Sequence, residues 1–585
     1  MVLGLKEGAV AFTYSRTMAK TLPMKHTYAL GVGMIASLAT FVAPGIGSHA
    51  ELAGAVRDIA SFGAKGDGKA MNSKAINQAI SQCSQSGGGT VVVPPGEYLS
   101  GPIVLLKNVT LDLEPGATIK GSPRLEDYDI EPEPASGESP RVGLITARDA
   151  GNVTITGRGV IDGNGMAFMD ADKLHQGADY DKKFTRQKDD FMDPKYGTQH
   201  GPLAHGERPG NLVRFMNCTN AMISGVTIEN SPTWTVQIAR CERVAILAVS
   251  INSFGSDRRI GNDDGIDLVD SRFVRISDCD IQTGDDCIAL FGSERIAVSN
   301  CTLSSRSVGI RVGFTGRDVR DCTFANLVIH GSNRGLGVFV RGRGSVENIL
   351  FSDIVIQSQL FTGHWWGKAE PIHVSAIPWE SGVSQIGRIK DVRFRNILAE
   401  SESGIIVCGC QQSVIEGLSF RQVKVRIKKS PLHQSYGGNF DLRASSDPTT
   451  ALFAHDIPAM YCRYVDGLAI SGMEVEWAGG LPAFFTHGLQ IEDFRNVDID
   501  GFRGGPAHKE SGNAAIALSR GRGISICNCK ASEGTGVFLA HSEVEGAGVF
   551  ANNDLSLARK AIEPARLQAT VSGNRLPGQT GENAK

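Results

Sequence analysis

Two short acidic turns hold the residues best suited to chemistry: Asn262-Asp263-Asp264-Gly265-Ile266-Asp267 and Gly284-Asp285-Asp286-Cys287-Ile288-Ala289. Acid/base cleavage of a glycosidic bond needs one protonated carboxyl to give its proton to the leaving oxygen. It also needs an ionised carboxylate to activate water or attack carbon. Asp264, Asp285 and Asp286, if brought together, meet both needs, because mutual repulsion raises at least one pKa and keeps an acid protonated. The same residues also suit plain turns or an oxygen-lined Ca²⁺ site. Both acidic pairs precede the same apolar strand frame, which favours catalysis.

That frame points to the elements that must position the carboxylates. Asp264-Gly265-Ile266-Asp267-Leu268 aligns with Asp286-Cys287-Ile288-Ala289-Leu290 at an offset of 22 residues. It returns at Val308-Gly309-Ile310-Arg311-Val312 after 22 more, and at Arg334-Gly335-Leu336-Gly337-Val338 after 26. A repeat of this length with alternating apolar positions predicts an all-β solenoid, a parallel β-helix in which each repeat is one coil. Equivalent residues on successive coils then lie ~4.7–4.9 Å apart, so the carboxylates converge. A second frame recurs from Met222-Ile223-Ser224-Gly225-Val226 through Arg393-Phe394-Arg395-Asn396-Ile397, and its repeated Asn or Asp predicts corners where side chains bond the backbone.

Residues 51–140 read as an opening, capping module. Apolar spacing over 72–84 predicts an N-terminal helix covering the end of the solenoid, and Gly66-Asp67-Gly68 a turn. Residues 141–585 read as the β-helix, with insertions near 166–209, 358–370 and 428–457 that shape a binding groove. Trp365 and Trp366 in the second insertion offer faces for sugar stacking. Residues 1–50 read as a secretory signal: Lys25 and His26 precede an apolar run, and Ser48-His49-Ala50 supplies small residues for cleavage. This predicts a secreted or periplasmic protein with no membrane attachment after cleavage. A net charge of −3 gives no basic field for nucleic acid. Most of the 12 cysteines are expected as buried thiols, since Cys279 and Cys301 fall where other coils carry Val249, Leu327 and Ile354. No His/Cys cluster has metal-ligand spacing, so neither metal nor other cofactor is expected.

The two acidic motifs resemble those of the polygalacturonase family of glycoside hydrolases. Phe62-Gly63-Ala64-Lys65-Gly66-Asp67-Gly68, Gly88-Gly89-Thr90-Val91 and Asn230-Ser231-Pro232-Thr233-Trp234 carry further likeness, so that the resemblance covers roughly residues 56–341. It implies a right-handed parallel β-helix that cleaves pectin-like glycosides with inversion. Asp285 would be the general acid, and Asp264 and Asp286 would hold the attacking water. Asp263 stands where the family usually has Thr. Two departures bear on substrate. The family's Gly-His-Gly is Ser307-Val308-Gly309 here, and its carboxylate-gripping Arg-x-Lys falls at Gly337 and Phe339. Arg311, Arg334 and Arg341 are candidates for a substitute clamp, and His364 and His373 for the missing histidine. Trp234 and Phe339 are further candidate sugar contacts.

The resulting expectation is a glycoside hydrolase acting on a polysaccharide or oligosaccharide, with a neutral or decorated sugar favoured beside the scissile bond. The alternatives are a β-helix polysaccharide lyase and a non-catalytic carbohydrate-binding solenoid.

Overall fold

The computed structural model describes residues 55–577 apart from 132–138, 176–179, 192, 194, 196–199, 254–258, 315, 381–382, 384, 444, 446, 510 and 566. The signal-peptide reading lies outside the described residues. Among these, no helix is long and apolar enough to cross a membrane.

The chain winds as a parallel β-helix. One sheet stacks Val213–Met216, Val236–Ala239, Ile266–Val269, Ile288–Phe291, Val308–Phe314, Arg334–Val340 and Ile372–Ala376, each strand paired in parallel with the next. A second stacks Thr219–Ser224, Glu242–Leu247, Arg272–Ser277 and Glu294–Ser299. A third stacks Thr227–Glu229, Ser250–Asn252, Asp280–Thr283 and Thr302–Ser305. Further along, the second and third strands of a coil merge into long bent strands such as Val319–Ser332, Val346–Ser358 and Ile389–Ser401.

Alternation explains the winding. Ile266, Ile288, Ile310, Leu336 and Ile372 are register partners in turn, all fully buried, so each coil places its apolar residue on the one before. Phe324, Phe351, Phe394 and Phe420 form a stacked file with ring centroids 4.8–5.0 Å apart. Cys279 and Cys301 sit in the same core, and of the 12 cysteines, all free, 10 are buried.

The corners differ from the expectation in one respect. Asp278, Asn300 and Asn326 do adopt left-handed backbone, with φ between 56° and 59°, which short polar side chains tolerate best. Their side chains bond one another between coils: Asn300 Nδ2 donates to Asp278 Oδ1 at 3.2 Å, and Asn326 Nδ2 to Asn300 Oδ1 at 3.4 Å. The ladder therefore locks coil to coil.

The predicted helix spans Ser73–Gln85 and buries Ala75, Ile76, Ala79, Ile80 and Cys83. Asn77 ties it to the first coils, donating to Pro102 O at 3.0 Å and accepting from Val104 N at 2.8 Å. Asp67 holds its turn by accepting from Lys69 N and Ala70 N.

The insertions meet one another. Phe191, Leu360, Ala369, Tyr436 and Leu452 make a second small core outside the β-helix, with a residue or more from each insertion. Arg186 pairs with Asp456 at 2.7 Å, Gly363 N donates to Tyr436 Oη at 3.1 Å, and Trp365 Nε1 donates to His200 O at 3.2 Å.

Candidate active site

The first sheet carries both acidic turns on adjacent coils. Its ladder runs on into them: Thr235 N donates to Asp264 O at 2.7 Å, Gly265 N to Asp286 O at 2.8 Å, and Cys287 N to Val308 O at 3.0 Å. Asp264 and Asp286 are thereby stacked one coil apart, with Asp285 beside them. Close approach demands glycine at Gly284, where a Cβ would lie 2.1 Å from Ile260 O. Asp263 is the clasp between the turns. It is fully buried, and its Oδ2 accepts from Ser253 Oγ at 2.7 Å and from Gly284 N at 3.0 Å. Burial pushes its pKa up to about 6. Asp263 thus holds the site together from beneath.

The nearest carboxylate oxygens of Asp264, Asp285 and Asp286 lie within 4.8 Å of one another. Their surroundings separate them. Asp286 has both oxygens engaged: Oδ1 accepts from Ser307 Oγ at 2.8 Å, and Oδ2 lies 2.5 Å from Arg311 Nε as an ion-pair contact without hydrogen-bond alignment. Arg311 Nη2 also reaches to 3.6 Å from Asp264 Oδ2. Among the described residues, Asp285 makes no ion pair of this kind. It is the most exposed of the three at 9%, against 2% for Asp264 and 1% for Asp286, and Asn262 Nδ2 stands 3.4 Å from its Oδ2. Two hydroxyls, Thr283 Oγ1 and Ser305 Oγ, pin its backbone carbonyl at 2.5 Å.

Burial and then the charge of Asp286 push the Asp285 carboxyl well above the usual range, with Arg311 opposing. Burial and then the charge of Asp285 do the same to Asp264. One member of the cluster is therefore set to hold a proton, while the guanidinium favours charge on its neighbours. Three oxygen donors could also hold a cation, but the guanidinium of Arg311 already supplies positive charge to two of them.

The other predicted site residues divide. Arg311 lies beside the acids, with its guanidinium carbon 4.6 Å from the centroid of Phe291 and 5.1 Å from that of Phe314. Trp234 is half-buried and stacks on Phe291 with centroids 5.7 Å apart. Trp366 is 36% exposed.

Arg334 and Arg341 are corrected from clamp candidates to buried anchors of the insertions. Arg334 contacts Glu370 at 3.3 Å and Asp441 at 3.2 Å. Arg341 donates to Ser375 O at 3.1 Å, Ser375 Oγ at 2.9 Å and Leu442 O at 3.0 Å. Phe339 is 3% exposed and so offers no apolar surface; its ring lies over Gly337, where a Cβ would fall 2.5 Å from Phe339 Cε2. Trp365 is likewise 3% exposed, inside the insertion cluster. His373 is fully buried against Phe339, and burial holds its imidazole well below the usual range. His364 is driven down by burial and then by Arg443 and Lys368, and it contacts Arg443 Nη1 at 3.3 Å. Neither imidazole is placed to carry a proton near neutral pH.

Sequence reasoning missed Phe291 and Phe314, which bracket Arg311, and Ser307, which bonds Asp286. Phe291 follows Ala289 at the period of two that marks outward positions, a signal open to sequence inspection. Arg311 and Gly337 are register partners, so the cation sits one coil before the position where the resemblance placed an arginine.

Residues 83–436 match the family model described as glycosyl hydrolases family 28. An exopolygalacturonase of Zea mays is 26% identical over 382 residues, covering 61% of this chain and 80% of the maize protein. An exo-poly-alpha-D-galacturonosidase of Dickeya chrysanthemi is 28% identical over 261 residues, 40% of this chain and 41% of that protein. Among solved structures, the Yersinia enterocolitica family 28 exopolygalacturonase superposes with a TM-score of 0.56 at 20% identity, covering 76% of this chain and 78% of that one. The hyperthermoactive exopolygalacturonase of Thermotoga maritima gives 0.50 at 23% identity, covering 73% and 92%. These two share the fold described above.

Asp285→Asn is expected to lower kcat by about 10²–10⁴-fold, the usual worth of a general acid, with folding intact by circular dichroism. Asp263→Asn, whose amide oxygen can still accept from Ser253 and Gly284, should cost far less. Steady-state kinetics on both variants checks the ranking, and an Asp285→Asn enzyme of near wild-type rate would refute the assignment. Because Arg311 supplies the cluster's cation, turnover should survive EDTA; loss on chelation, restored by Ca²⁺, would contradict this.

Proposed function

This chain belongs to glycosyl hydrolase family 28 and is a glycoside hydrolase, and we propose that it trims pectin-like polysaccharides or their oligomers from a chain end, with inversion. Asp285 protonates the leaving oxygen. Asp264 and Asp286 orient and deprotonate the attacking water. Asp286, with both oxygens occupied by Ser307 and Arg311, is better placed to hold water than to attack carbon. Phe314 and Trp379, in edge contact at 5.5 Å, and the exposed Trp366 supply aromatic surface for sugar rings.

The chain-end assignment is supported by the wall that the insertions make. The ladder from Asp286 passes through Val308 to Arg334, which Asp441 and Glu370 cover. Two coil spacings separate Asp286 from that wall, about 10 Å along the axis. The likeness to proteins named exopolygalacturonase agrees with this reading.

The substrate beside the scissile bond is assigned as a neutral or decorated sugar. Gly337 and Phe339 offer no cation, Arg334 and Arg341 are committed to the insertions, and Arg311 serves the catalytic carboxylates. The apolar run and small-residue site within residues 1–50 support action outside the cytoplasm, where such polymers lie.

Product analysis by chromatography should find short sugars from the first minutes, with viscosity falling slowly while reducing ends accumulate. Rapid loss of viscosity would overturn the chain-end assignment. Each missing charge-assisted bond to a carboxylate is worth roughly 1.5–3 kcal/mol. Unsubstituted polygalacturonate should therefore show a kcat/KM at least about tenfold below that of neutral-decorated pectic oligosaccharides; the reverse ranking would contradict the substrate assignment.

A further inference from the structure

Two files of side chains on the second sheet follow different charge rules. The sheet continues from Glu294–Ser299 into the first parts of Val319–Ser332, Val346–Ser358 and Ile389–Ser401, and then into Ser419–Ile427 and Met460–Ser471. Near the start of its strands, successive register partners alternate in sign: Glu242, Arg272, Glu294, Arg320, Glu347 and Lys390. Arg272 pairs with Glu242 and Arg320 with Glu294, each at 2.6 Å.

A few residues further along the strands the alternation fails. Arg395 and Arg421 are direct register partners, with Ser352 before them and Ser471 after. Arg393 stands between Leu350 and Ser419. Like charges directly opposite destabilise a sheet, and all three arginines are exposed. Among the described residues, Arg393 and Arg421 make no ion pair, and Arg395 reaches only Asp353, at 4.0 Å.

These arginines line a groove of about 810 Å³. It crosses five register-paired positions, Thr323, Leu350, Arg393, Ser419 and Ala469. At one coil spacing per step it runs for roughly 19 Å. Its floor is low because Ser419 and Ala469 are short, and Gly417 and Gly467 carry no side chain at the corners. Two acids also line it, but Asp321 already accepts from Asn348 Nδ2 at 3.1 Å, and the arginines outnumber them. The aromatic ring in the lining, Phe394, is fully buried, so a nucleobase finds no stacking face. Guanidinium forks match carboxylates, and the hydroxyls of Thr323 and Ser419 suit those of a sugar.

We propose that this groove is a second glycan-binding site, apart from the acidic turns, in which Arg393, Arg395 and Arg421 grip a uronate-bearing stretch of an acidic polysaccharide. The choice of uronate among carboxylate polymers rests on the pectin reading above. The arginines near the scissile bond are committed to the insertions and to the catalytic acids. The two sites therefore take different parts of one pectic polymer: its acidic backbone on the outer face, its neutral or decorated sugar at the acids.

Affinity electrophoresis through polygalacturonate reads binding without turnover when run on Asp285→Asn protein. The polymer should retard that protein, and adding Arg393→Gln with Arg421→Gln should raise the Kd at least about tenfold. Arg272→Gln with Arg320→Gln removes the same charge from paired positions of the same sheet and should leave the Kd within about twofold. Polyglutamate, a carboxylate polymer without sugar, should bind at least about tenfold more weakly. In otherwise wild-type protein, Arg393→Gln with Arg421→Gln should keep kcat on a short oligosaccharide and should not lower Tm, since two like charges are removed. The proposal is overturned if polygalacturonate does not retard the protein, if the Arg393/Arg421 variant binds as tightly as its parent, if the Arg272/Arg320 control weakens binding equally, or if polyglutamate binds as well. Wild-type protein that cuts no glycan yet is retarded through Arg393 and Arg421 would sink the hydrolytic reading and leave this site standing.

Discussion

One guanidinium makes this cluster of buried acids possible. The β-helix forces equivalent residues on adjacent coils to within ~4.7–4.9 Å, so acidic turns at the same phase must stack their carboxylates. Two unit charges about 4 Å apart interact by about 4 kcal/mol at an effective dielectric of 20, and burial raises the cost further. Arg311 enters from the following coil and contacts Asp286 and Asp264, with Phe291 and Phe314 on its faces. The cation lies directly against Asp286 and Asp264, while at Asp285 its charge only opposes the rise that burial and Asp286 cause. The proposed acid and base roles rest on that difference in contact. The same contact removes Arg311 from the set of groups free to grip a substrate carboxylate.

The remaining architecture serves this arrangement in two ways. The solenoid fixes coil spacing through its apolar files and its Asn ladder, and Asp263 with Gly284 locks the two acidic turns at closest approach. The insertions pack over Arg334, at the start of a strand of the first sheet. Their stability comes from a second small core and from Arg334, Asp441 and Arg443, whose guanidinium groups hold the Asp441 carboxyl well below the usual range despite its burial. Coil geometry therefore brings the carboxylates together, and in the proposed reading the insertions limit which part of a polymer reaches them.

Much of this was legible because a solenoid writes its structure as a period. The 22-residue offset placed Asp264 over Asp286, and alternation placed Cys279 in the core. What was not legible depends on contacts without a period. Arg334, Arg341, Phe339 and Trp365 read as groove residues but lie beneath or within insertions whose packing no repeat announces. The corner asparagines bond across coils rather than locally, which a single repeat cannot reveal. Asp267 occupies an outward strand position yet is fully buried, because outward residues on the floor of a walled groove need not reach solvent.

The most direct test of the account is the pH–rate profile of Arg311→Gln on the best substrate found for the wild type. If the guanidinium opposes the rise of the Asp264 carboxyl, its loss must lower kcat and move the acidic limb of the profile to higher pH. A variant with wild-type kcat and acidic limb, altered only by a raised KM for uronate-containing substrates, would show that Arg311 is a substrate clamp and would contradict the account.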